Sequence, residues 1–149
     1  MNDAKTALGL KIKKIKKAKN LSWAQIAEAV GMSTVWTTCA LLGQMSMLED
    51  QAEKAAKCLG LSPEEKELLM EIPYRGSLPT AVPTDPLIYR FYELVSVYGT
   101  TWKDLIHEEF GDGIMSAIDF DMTMERLPDP KGDRVKISMT GKFLPYKRY

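Results

Sequence analysis

An α+β fold is expected for this chain, on three observations. Capping signals punctuate the first seventy residues into short helices, a proline-rich stretch follows, and from Ile118 the apolar spacing changes from a helical period to strict alternation. Runs of helices followed by a pair of strands are the pattern of an α+β protein.

The helices can be read in order. Leu8, Ile12 and Ile15 recur at helical spacing among lysines, so the first helix is amphipathic and its lysines are expected to form a solvated face. Ser22 with Gln25 forms a capping box, Gly31 stops that helix, and Ser33 restarts one that ends at Gly43. Ser46 with Glu49 is read as the cap of a fourth helix stopped at Gly60, and Ser62-Pro63-Glu64-Glu65 opens a fifth. Residues 1–72 are thus expected to form a five-helix bundle.

Pro73, Gly76, Pro79, Pro83 and Pro86 forbid regular structure and mark a linker over 73–85. Beyond it, 86–149 should form a second domain. Asp85 serves as N-cap with Pro86 at the first helical position, and Leu87, Phe91, Leu94 and Tyr98 make one apolar stripe. Gly99 is read as the stop, with Thr101 and Asp104 capping a further helix closed by Gly111. Ile118, Phe120, Met122 and Met124 then alternate with polar residues in one strand, and Val135, Ile137 and Met139 in another, joined by a turn at Asp129, Pro130, Gly132 and Asp133. A lone hairpin is marginal in water, so it must pack on helices or on strands of another subunit. An oligomer is expected.

Composition excludes several classes. With 149 residues, 45% hydrophobic and 27% charged, the chain is ordinary globular material. Twenty Lys plus Arg balance twenty Asp plus Glu, so no global field favours nucleic acid or an anionic membrane. The charge is uneven, with seven Lys and one Asp in residues 1–20. Cys39 and Cys58 lack the spacing of a zinc or redox motif, and His107 is the only histidine, so neither a metal nor a disulfide framework is expected. No apolar leader and no run of about twenty apolar residues is present, which points to a reducing cytoplasm.

Several residues invite a functional reading. Leu21–Gly43 has the outline of a DNA-binding helix-turn-helix, yet Thr34-Val35-Trp36-Thr37-Thr38-Cys39 holds no Arg, Lys, Asn or Gln to read bases, and Trp36 suits a protein interface better. Arg90 and Glu93 lie about 60° apart around one helix. They form either a surface ion pair or, if the helix is partly buried among Tyr89, Phe91 and Tyr92, a functional pair. Ser116 shares the parity of the apolar strand positions, although a serine that satisfies its own backbone is the simpler reading of the pattern. His107 is expected to cap or pack a helix end. Gly111-Asp112-Gly113 lacks the context of a dinucleotide site, so no cofactor is expected.

Pro83-Thr84-Asp85-Pro86, Tyr89-Arg90-Phe91-Tyr92-Glu93, Val97-Tyr98-Gly99-Thr100-Thr101 and Phe110-Gly111-Asp112-Gly113-Ile114-Met115-Ser116-Ala117-Ile118 closely resemble cyanase, the cyanate hydratase family. Weaker similarity covers Leu21-Ser22-Trp23, Ala40-Leu41-Leu42-Gly43-Gln44, Ile72-Pro73, Arg75-Gly76 and Gly141-Lys142-Phe143-Leu144-Pro145. The resemblance places the family's catalytic Arg, Glu and Ser at Arg90, Glu93 and Ser116. It implies bicarbonate-dependent decomposition of cyanate without metal or organic cofactor. It also implies a homodecamer of five dimers, a phage-repressor-like N-terminal bundle, hairpins interlocked between subunits, and sites shared by several chains. Ser77 stands where relatives commonly carry cysteine, and the lysine-rich start and Tyr146-Lys147-Arg148-Tyr149 also depart from the family. A DNA-binding regulator is the alternative function. A catalytically dead scaffold is disfavoured because all three key positions are intact.

Overall fold

A computed structural model describes residues 3–149 of the chain. The first two residues of the expected N-terminal domain lie outside that range. Six helices precede a two-stranded hairpin, an α+β arrangement. The chain divides into two compact units, one running up to Gly76 with Met122–Ser138 added, the other comprising Ser77–Asp121 and Met139–Tyr149.

In the first unit α1 (Asp3–Ala18), α2 (Trp23–Val30), α3 (Thr34–Leu41), α4 (Glu49–Leu59) and α5 (Pro63–Met70) pack about one core. Ile12, Ile26, Val30, Leu41 and Leu59 are almost fully buried there, each on the apolar face of its helix. The Ser22 hydroxyl accepts from the Gln25 amide while the Gln25 side chain accepts from the Ser22 amide at 2.8 Å, and Ser62 and Glu65 repeat the arrangement. Gly31 and Gly60 close α2 and α4 in the left-handed conformation that glycine adopts without penalty.

Two expectations for this unit are corrected. Ser46 does not cap α4: its hydroxyl donates to the Met70 carbonyl at 2.6 Å, and the helix begins behind Leu48, whose amide donates to Gln51 Oε1 at 2.9 Å. Tertiary contact with the end of α5 has taken the hydroxyl away from the local role. The lysines of α1 are not all solvated either. Lys5 is 3% exposed and its ammonium donates to the Glu71 carbonyl; burial lowers its pKa, and the nearby Glu71 carboxylate opposes that shift. Burial also raises the Cys39 thiol pKa.

In the second unit α6 (Pro86–Phe110) is one unbroken helix of 25 residues rather than two. Gly99 is interior to it. A mid-helix glycine disfavours the helix by only about 1 kcal/mol, too little to end one that retains its hydrogen-bond ladder on both sides. Tyr98 and Trp102 stack across that turn with ring centroids 6.3 Å apart, an i,i+4 pair that ties its two sides together. The cap at Thr101 is therefore unused.

Strands β1 (Gly113–Leu127) and β2 (Arg134–Pro145) form the hairpin. β1 begins five residues before Ile118, so Ser116 lies inside it. The expected apolar side is only partly covered: Phe120 and Met122 are half-buried, whereas Ile118 is 98% exposed. At the turn the Gly132 amide donates to the Asp129 carbonyl at 3.0 Å and the Lys131 amide to Asp129 Oδ1 at 2.8 Å. No described helix is long and apolar enough to cross a membrane.

Ile12, wholly buried at the centre of the first core, should be its most sensitive probe. Ile12→Ala is expected to lower unfolding free energy by about 2–5 kcal/mol in urea titration.

Candidate active site

The sequence of α6 positions its functional pair from the helix start. Asp85 caps the helix, its Oδ1 accepting from the amides of Leu87 and Ile88 at 2.9 Å each, and Pro86 supplies the first helical residue. Arg90 and Glu93 follow in the next turns on one face. Arg90 Nη1 lies 3.2 Å from Glu93 Oε2, Nε donates to the Pro86 carbonyl at 3.2 Å, and the guanidinium sits 5.3 Å from the Tyr89 ring centre. One carbonyl acceptor, an ion-paired carboxylate and an aromatic ring thus hold the head of Arg90, while its Nη2 edge has no partner among the described residues. Such an edge can take an anion in fork geometry.

The expectation that this helix is partly buried does not hold within one chain. No residue of α6 is buried, and Arg90 and Glu93 side chains are 60% and 50% exposed. Eleven large apolar side chains of α6 are between 40% and 69% exposed. The surface around Arg90 is apolar, and among the described residues nothing buries it.

Ser116 differs. It is 6% exposed, and its Oγ accepts from the amides of Ile118 at 3.0 Å and Asp119 at 2.9 Å. The simple reading, a serine serving its own backbone, is thus realised, with a chemical consequence. An oxygen that already accepts two N–H bonds has its lone pairs engaged and its proton left to donate. β1 has 15 residues and β2 has 12.

His107, in the last turn of α6, has Nε2 3.2 Å from the Gly113 carbonyl, and the Gly111 amide donates to the His107 carbonyl at 3.0 Å. The histidine packs a helix end, as expected, and ties the start of β1 to it. Ser116 is therefore tethered to the C-terminal end of α6. Arg90 lies twenty residues before Phe110 on that helix, about 30 Å along its axis. The structure brings Arg90 and Glu93 together. No hydrogen bond or ion pair among the described residues joins either of them to Ser116.

A cleft of about 440 Å³ beside the end of α6 is lined by Trp102, Lys103, His107, Asp112 and Tyr146 among others, and by none of the three sequence-identified residues. Its lining includes one cation, Lys103, beside the Asp112 carboxylate. Among the described residues no cluster of three or more His, Cys, Asp or Glu side chains is placed to hold a metal ion. In the helix-turn-helix segment, Thr37 of α3 is wholly buried and Trp36 packs against the core of the unit. The would-be reading helix thus turns part of its surface inward.

Residues 5–73 match the family described as cyanate hydratase, N-terminal, and residues 80–148 the cyanate lyase C-terminal domain. A cyanate hydratase of Ralstonia pickettii is 69% identical over 88% of this chain and 89% of its own length. The chain belongs to the cyanate hydratase family. A cyanate hydratase of Methylibium petroleiphilum is 64% identical over 93% of this chain and 95% of its own. The crystal structure of cyanase from T. urticae superposes with a TM-score of 0.80 at 40% identity, covering 93% of this chain and 97% of that one. Both units fall within a single family architecture, so the match concerns the whole chain rather than a shared module.

Removing the N-cap tests how the pair depends on the helix start. Asp85→Ala should lower stability by about 1 kcal/mol and reduce turnover, because the first turn supplies the Pro86 carbonyl that holds Arg90. Thermal unfolding and cyanate turnover on the same preparation check it.

Proposed function

We propose that this cyanate hydratase family member decomposes cyanate with bicarbonate as co-substrate, and that Arg90, Glu93 and Ser116 form its site. Bicarbonate attacks the cyanate carbon through oxygen. The C–O bond to the original bicarbonate carbon then breaks, releasing carbon dioxide and, with one proton taken from solvent, carbamate. Carbamate takes up a second proton and falls apart to ammonia and carbon dioxide. No side-chain nucleophile and no cofactor enters the sequence.

The central difficulty is bringing two anions together. At 4 Å two unit charges repel by about 4 kcal/mol at an effective dielectric near 20, and a fixed cation offsets that repulsion. Arg90 supplies the cation. The observation that carries this role is its attachment: Glu93 and the Pro86 carbonyl restrain the guanidinium from one side and leave the Nη2 edge available. Glu93, repulsive toward substrate, acts mainly through Arg90; handling a proton is its second possible task. Ser116, with its oxygen held by two backbone amides, donates to the negative oxygen of the adduct.

Assembly completes the site in this reading. Clamp and hydroxyl are anchored toward opposite ends of a 25-residue helix, and the helix leaves its apolar surface uncovered. Neighbouring chains in a homodecamer of five dimers would cover that surface, interlock the hairpins and bring the clamp of one chain to the hydroxyl of another. Residues 1–72 then serve as a repressor-like bundle that packs on neighbours instead of reading DNA, with 73–85 as linker and 86–149 as the catalytic and dimerisation part. Two cysteines without a disulfide suit a cytoplasmic setting.

Ammonia release from cyanate, measured with and without added bicarbonate, tests the reaction. Release is expected only with bicarbonate, and release indifferent to it refutes the proposal. Arg90→Leu should lose at least about 100-fold in turnover while the oligomer mass in light scattering stays unchanged. Retained turnover refutes the clamp.

A further inference from the structure

Gly141 lies in β2 and sits against the strand that carries Ser116. A Cβ built on it would stand 2.4 Å from the Ser116 carbonyl oxygen and 2.6 Å from Met115 Cγ. Its φ is not in the left-handed region, since the glycines with positive φ lie elsewhere in the chain. Glycine is therefore needed at 141 for space, not for backbone conformation. Gly113 tells the same story across the ladder, its Cβ position lying 2.4 Å from the Leu144 carbonyl. The base of the hairpin is closed by two backbone contacts that only glycine permits, and one of them is the backbone of Ser116 itself.

We propose that Gly141 is a positioning residue for the reaction, setting where the Ser116 hydroxyl stands by letting β2 close onto the Ser116 peptide. The claim rests on Ser116 being a catalytic residue, as argued above. The colliding atom is backbone and cannot rotate away. Bringing the contact from 2.4 Å to even the 3.0 Å that real Cβ atoms essentially always keep requires a shift of 3.0 − 2.4 = 0.6 Å, and ordinary contact near 3.4 Å requires 1.0 Å. The hydroxyl cannot escape that shift by changing rotamer, because its oxygen is tied to the amides of Ile118 and Asp119, which move with it. A misplacement of about 1 Å in a group that aligns reactants lowers rate by about 100-fold.

The position also predicts which kinetic constant changes. Arg90 and Glu93 hold their geometry on α6 through contacts of their own, so capture of the anions should persist when the serine is displaced. The loss falls on the step in which charge builds on the adduct.

The test is a double-mutant cycle on the assembled enzyme. Gly141→Ala should lower kcat by about 100-fold and change KM for cyanate and bicarbonate by less than about threefold. Ser116→Ala should lower kcat by about 100- to 1,000-fold. In the Ser116→Ala background, adding Gly141→Ala should lower kcat by less than about threefold more, because the group being positioned is gone. A purely structural glycine would instead give the same loss in both backgrounds, and that result overturns the proposal, as does wild-type kcat in Gly141→Ala. If Ser116→Ala alone keeps wild-type turnover, the catalytic assignment of Ser116 fails first and the positioning role goes with it; the cycle tells these failures apart. Should Gly141→Ala fail to assemble, Met115→Ala/Gly141→Ala frees the side-chain half of the collision and keeps the carbonyl half, and it is run through the same cycle against Met115→Ala.

Discussion

A helix of 25 residues that buries none of its side chains within its own chain sets the terms for everything else in the C-terminal unit. Eleven large apolar side chains on it remain 40% exposed or more, and full burial of each such group contributes about 1.5–3 kcal/mol. That unrealised stabilisation is far larger than any ion pair or cap on the helix can supply. A two-stranded hairpin cannot cover such a surface, and its own Ile118 is 98% exposed. The proposed assembly follows from this shortage of cover, and so does the proposed site, since Arg90 lies near the start of the helix whose surface must be covered.

Covering the surface would also change the worth of the Arg90–Glu93 pair. At 60% and 50% exposure in a single chain it is a surface ion pair of the kind that contributes little. Once water is displaced, the same charges act through a lower dielectric, where a fixed guanidinium can counter the mutual repulsion of two small anions. Glu93 keeps the cation from being stranded without a partner, and the Pro86 carbonyl and Tyr89 ring limit where it can point. Ser116 would contribute to the proposed site in the opposite manner. It is buried already, fixed by its own backbone amides, and it brings no charge. In the proposed site, a restrained charge made useful by assembly and a neutral donor preset by the strand would be complementary solutions to placing groups around an anionic adduct.

Much of the architecture was legible in the residues. Ser22 with Gln25, Ser62 with Glu65, and Asp85 with Pro86 each act within four residues, and each forms the cap its spacing suggests. Local signals misled where a distant partner or continuity outweighed them. Ser46 was drawn to the Met70 carbonyl, 24 residues away, and Gly99 failed to end α6 because its intrinsic penalty is small beside an intact ladder. Lys5 could not be singled out among its basic neighbours, since burial beside Glu71 depends on where the end of α5 and the residues after it come to rest. Of the site, Arg90 and Glu93 could be paired from helical spacing alone. That Ser116 serves its own backbone was legible as well; that the amides are those of Ile118 and Asp119 was not.

The sequence by itself determined the kinds and order of the elements, the family, and the three residues on which the proposed chemistry rests, because caps, periodicity and motifs are written within a few residues of one another. Tertiary structure alone decided which of those groups are available. It left Arg90 and Glu93 open on an uncovered helix, enclosed Ser116, and placed the backbone of Gly141 against the Ser116 carbonyl, 25 residues away in the chain. Exposure and close approach belong to pairs of distant segments, and no local pattern encodes the distance between them.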